Sequence, residues 1–82
     1  MTHKLVRVEW EDSSSSSRVW SSKEYLSTAE NQRCVSVGFL VHEDKDCVVI
    51  AGHMGLNDRP DFAGDMRIPK SAIRSRRRII HE

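Results

Sequence analysis

Apolar and polar positions alternate from the start of the chain. In Leu5-Val6-Arg7-Val8-Glu9-Trp10, Val6, Val8 and Trp10 share one side and Arg7 and Glu9 the other, the pattern of a half-buried strand. Glu11-Asp12 and five serines, Ser13 to Ser17, follow, so residues 11–19 read as a flexible acidic, serine-rich loop. Ser21-Ser22-Lys23-Glu24 then fits a capping box with Ser21 at the N-cap. A short helix over 22–30 is expected, with Ser22, Tyr25, Leu26 and Ala29 on one side. Arg33 to His42 and Cys47 to Met54 are rich in β-formers, and Glu43-Asp44-Lys45-Asp46 supplies the turn of a hairpin between them.

Pairing Glu43 with Asp46 sets the expected register. Val41 then faces Val48, Phe39 faces Ile50 and Val35 faces Met54, giving with Val37 one apolar face. The other carries Leu40 opposite Val49, Gly38 opposite Ala51, His42 opposite Cys47 and Ser36 opposite His53. A hairpin apolar on both faces needs cover on both. Leu40, Val49 and Ala51 are therefore the expected interface with the small helix or a second subunit. Residues 55–64 read as a loop, 65–68 as a short strand ending at Pro69, 69–73 as one 3₁₀ turn, and 74–80 as a last strand. The expected fold is mainly β, a small SH3-like barrel of about five strands, in a single domain over 1–82.

Composition narrows the function classes. At 82 residues, with 38% hydrophobic and 30% charged residues, the chain sits near the lower limit for a self-sufficient core, which favours a homo-oligomer. No apolar run is long enough to span a bilayer, and the first residues lack the apolar core of a signal peptide, so a cytoplasmic protein with no membrane partner is expected. Two cysteines, Cys34 and Cys47, are too few for a disulfide framework, and the register holds them far apart. The four histidines lack metal-ligand spacing. No metal, cofactor or enzymatic nucleophile–base pair is expected.

Charge is uneven. The total is +1, but residues 58–82 carry net +3 and residues 1–57 net −2. Arg74, Arg76, Arg77 and Arg78 read either as a solvated edge strand or as a phosphate-facing patch. The small total argues against duplex DNA and leaves room for a small anionic ligand. Trp10 and Trp20 flank the serine loop, where two indoles can stack on a flat base while Asp12 accepts from a hydroxyl or base edge. Arg18, Arg33, Arg76 and Arg78 are candidate phosphate contacts, and His53 is a further candidate ligand contact. Trp10 reads equally as core.

The Trp10, Asp12 and Trp20 spacing, the Ser36–Val41 strand and the Ile68–Ile73 run together resemble a group of small phage and prophage proteins. No catalytic residue carries over from that group. The resemblance implies a protein made in an infected bacterial cell that acts by binding. It is similar in size and in its pairing of aromatics with arginines to the sponge proteins, including Sequestin and Lockin, which sequester nucleotide signals of bacterial immunity. The expected function is accordingly sequestration of a cyclic-nucleotide or ADP-ribose-like signal by an oligomer. The alternatives are a module that inhibits a host protein by strand addition, or a nucleic-acid binder using the arginine strand.

Overall fold

A computed structural model describes residues 3–79. Strand β1 (Leu5–Asp12) leads to helix α1 (Lys23–Thr28), then β2 (Gln32–Glu43), β3 (Cys47–Met54), β4 (Phe62–Pro69), a 3₁₀ turn (Lys70–Ala72) and β5 (Ile73–Arg78). The five strands form one antiparallel sheet in the order β4-β3-β2-β1-β5. β4 and β5 are its edges, and the ladder does not close on itself. Of the expected last strand, Ile80 lies outside the described residues.

β2 organises the sheet because it is shared by two partners. Its first eight residues pair with β1, from Asp12↔Gln32 to Leu5↔Phe39. Its last stretch pairs with β3, beginning at Phe39↔Ala51. Gly38 sits where the strand passes from one partner to the other. A Cβ there would lie 2.8 Å from the Ala51 carbonyl oxygen, so this approach requires glycine.

The hairpin register differs from the expected one. Leu40 pairs with Ile50, then His42 with Val49 and Glu43 with Val48, leaving Val41 as an extra residue in a β-bulge. Asp44 explains why the strands start to pair where they do. Its Oδ1 accepts from the Asp46 and Cys47 N–H groups at 2.8 and 2.9 Å, and its own N–H donates to the Cys47 carbonyl at 3.0 Å. The side chain closes the turn within Asp44–Cys47, instead of a Glu43–Asp46 pair. Leu40 therefore joins the core face, and Ala51 lies on the opposite face at 1% exposure. Leu40, Val49 and Ala51 do not form one exposed face. Val35 and Val37, expected inward, are about half exposed.

The core is small: Val6, Val8, Val48, Ile50 and Ile68, with Trp10, Leu40 and Ile73 packed against them. The β1 alternation puts Val6 and Val8 there as expected. β4 starts at Phe62, earlier than the Asp65 expected, because Gly64 adopts φ +67° and stays in register instead of ending the strand. β1 likewise continues through Glu11 and Asp12, so the serine segment begins at Ser13.

Helix α1 is capped by Ser22, not Ser21. The Ser22 Oγ accepts from the Tyr25 N–H at 3.1 Å, so Glu24 falls one position short of the capping-box site. None of its residues is buried, and the Arg18 guanidinium lies 4.0 Å over the Tyr25 ring. The helix covers neither face of the hairpin. No helix among the described residues is long and apolar enough to cross a membrane.

Candidate anion-binding groove

Alternation on β5 decides which arginines face inward. Arg76 pairs with Val8 and Arg78 with Val6, so both lie on the core side of the sheet. A second bulge, at Arg74, turns that residue away to meet Glu11, Nε to Oε1 at 3.3 Å. The N-terminal segment is fixed beside these arginines by backbone bonds. The Leu40 N–H donates to the Lys4 carbonyl at 2.7 Å, and the Ile79 N–H donates to the Leu5 carbonyl at 2.8 Å.

The result is a groove of about 220 Å³ lined by Lys4, Val6, Leu40, Glu43, Arg76, Arg77 and Arg78. Val6 and Leu40 make an apolar floor beside Lys4, Arg76, Arg78 and the Glu43 carboxylate, while Arg77, paired with Arg7, borders the groove from a position of the opposite face. The carboxylate is already engaged. Both oxygens of Glu43 accept from Arg76, at 3.0 and 2.7 Å, and Lys70 Nζ lies 2.8 Å from Oε2. Arg76 and Lys70 together lower the Glu43 pKa to about 2. Among the described residues, Lys4, Arg77 and Arg78 lie within ion-pair distance of no carboxylate. The bulge at Val41 matters here, because it swings Glu43 to the side of Val48, where it can hold Arg76 upright against the groove. Arg76 also borders a neighbouring hollow of about 280 Å³ with Val48, Lys70 and Ile73.

A separate groove of about 270 Å³ runs beside Trp10, lined by Glu9, Glu11, Arg33, Cys34, Val35 and Arg74 as well. Two carboxylates balance two guanidiniums there. Arg7 bonds Glu9 at 2.7 Å and lowers its pKa, which keeps that carboxylate charged. The Trp10 Nε1–H donates to Ser36 Oγ at 3.0 Å, and the ring packs on the core, so this indole is held as structure.

The candidate residues thus fall into separate places. Arg76 and Arg78 share the cationic groove, while Trp10 and Arg33 share the balanced one. Trp20 is 90% exposed, Asp12 accepts from the Ser13 N–H at 2.9 Å, and Arg18 lies over Tyr25. None of these three lines either groove. His53 pairs with Ala63 rather than Ser36, which instead pairs with Val8. Lys4, Arg77 and Glu43 had not been singled out as individual site residues. Only Arg77 carried a signal, as part of the arginine run. The other two depend on β1–β2 register and on the bulge.

Chemically, the groove can hold an anion with an apolar or flat portion. Guanidinium forks match phosphate oxygens in pairs, and Val6 and Leu40 offer the surface for the rest of the ligand. Searches against known family profiles, curated proteins and solved structures find no match to this chain.

Proposed function

We propose that the protein is a non-enzymatic binder of a small nucleotide-type anion, of the cyclic-nucleotide or ADP-ribose-like class, which it sequesters as an oligomer in a phage-infected bacterial cytoplasm. The observation that carries the reading is the apolar-floored groove with Lys4 and Arg78 uncommitted to any carboxylate among the described residues. The phosphates lie against Lys4 and Arg78, with Arg76 contributing once Glu43 releases one of its two cations. The flat part of the ligand rests on Val6 and Leu40. This places the ligand away from Trp20, and Trp10 serves as core. The strand order and the handover of β2 from β1 to β3 near Gly38 support an SH3-like barrel as the scaffold, left open between β4 and β5.

Isothermal titration against cyclic AMP, a cyclic dinucleotide and ADP-ribose tests the reading. Saturable heat with at least one of them is expected, reduced tenfold or more in affinity in the Lys4→Ala/Arg78→Ala double variant. No heat with any of the three, for folded protein, would overturn it. A second reading is favoured by the two open sheet edges: strand addition by a host protein the chain inhibits. One stoichiometric protein partner from host lysate, and no small ligand, would select it.

A further inference from the structure

Of the two open edges, only β4 is complementary to itself. β5 carries Arg74, Arg76, Arg77 and Arg78 within six residues, so a second β5 laid against it would place arginine against arginine. β4 carries one charge of each sign, Asp65 and Arg67, on the same side of the strand and flanking Met66. Within the chain these two charges face Ala51 and Val49 across the ladder. Among the described residues neither makes an ion pair. Among the described residues the Arg67 guanidinium donates from Nη1 to Cys47 Sγ at 3.0 Å. Met66 faces the core side opposite Ile50 and is 41% exposed, a large apolar side chain at an open edge.

We infer that β4 is the dimerisation edge of this protein, pairing antiparallel with β4 of a second copy about a two-fold axis at Met66. Residues directly opposite in an antiparallel ladder point to the same face. With Met66 opposite Met66 of the second copy, Asp65 of each chain meets Arg67 of the other. Both unpaired charges gain partners in one step. On the opposite face the Ile50–Met66 pair of one chain continues into that of the other. Pro69 bounds the stretch at one end by its missing N–H, which limits register slips. The ten-stranded sheet so formed is closed to further growth at β4 and shielded at β5 by arginine. The inference gives the homo-oligomer of the proposed function its interface, but needs no ligand.

Sedimentation of the ligand-free full chain over a range of concentrations tests it. A monomer–dimer equilibrium is expected. Because symmetry counts each substitution twice, Asp65→Arg or Arg67→Asp alone should weaken the dimer about tenfold, and the double exchange should restore it. Met66→Cys, in a Cys34→Ser background, leaves the charges untouched and should form an intermolecular disulfide on mild oxidation. A strict monomer, or single exchanges without effect, would overturn the inference. So would a dimer that Arg67→Asp strengthens, since that is the signature of β4 docking on the arginines of β5. A strict monomer would also remove the oligomer from the proposed function, but anion binding in the groove of one chain is read by titration alone, so the two failures are distinguishable.

Discussion

Glu43 holds Arg76 and Lys70 through one carboxylate, and this arrangement makes stability depend on pH in a defined direction. Its pKa is near 4.5 when the chain is unfolded and about 2 when folded, so the folded state favours the charged form. The stabilisation is full above pH 4.5 and is lost as the pH falls toward 2. Asp44 acts in the same direction, held well below the usual carboxylate range by the Asp46 N–H first, then His42 and the Cys47 N–H. Urea midpoints should be flat from pH 7 to 5 and fall below 4.5. Glu43→Gln should be less stable at neutral pH and lose part of that acid dependence; an unchanged acid profile would contradict the ion cluster. Gly38 gives a second check at this scale. Its missing Cβ would meet backbone, which cannot move aside, so Gly38→Ala should cost about 1–3 kcal/mol by urea denaturation. Gly52→Ala is the control, since nothing lies within 4 Å of its added methyl group, and should be close to neutral.

Among the elements, those governed by local pattern were legible in the sequence. The period of two in β1, the β-former runs of the hairpin and the Pro-Lys-Ser-Ala turn before β5 all formed near their expected places. What failed was register, since it depends on one side chain and one extra residue. Asp44 closes the turn and Val41 bulges, and the two together move Leu40 to the core side and Glu43 to the groove. Neither has a periodic signature. The arginine patch of the candidate site was legible in the run 74–78, but its floor and Lys4 were not, because they come from β1 and β2. Helix α1 was expected from its serines, though its cap is Ser22 and not Ser21. Of the two covers expected for the hairpin, the helix or a second subunit, the helix is not one. It is six residues long and buries none of them, so tertiary packing does not hold it. Hydrogen exchange should therefore be fast at Tyr25 and Leu26, and slowest at Val48 and Ile50 in the core. Comparable protection at the two places would show that α1 is docked.

At the scale of the molecule, the chain is extended for its length. Its radius of gyration is 16.5 Å, with extents of 55 × 26 × 23 Å, where a compact domain of this length has about 12 Å. Its accessible surface is 6790 Å², against roughly 5,000 Å² for a compact monomer of this mass. Among the described residues only seven apolar side chains are buried to hold the sheet. Such a shape suits the dimer inferred above, and the groove joins Lys4 and the floor from β1 and β2 to the arginines of β5. The most direct test of that groove is an amide chemical-shift titration of the ligand-free protein with pyrophosphate and with ADP-ribose. Both should shift the amides of Lys4, Leu40, Arg76, Arg77 and Arg78, with ADP-ribose adding shifts at Val6. Shifts confined to Trp10, Arg33 and Arg74, or no shifts with either probe, would contradict the account.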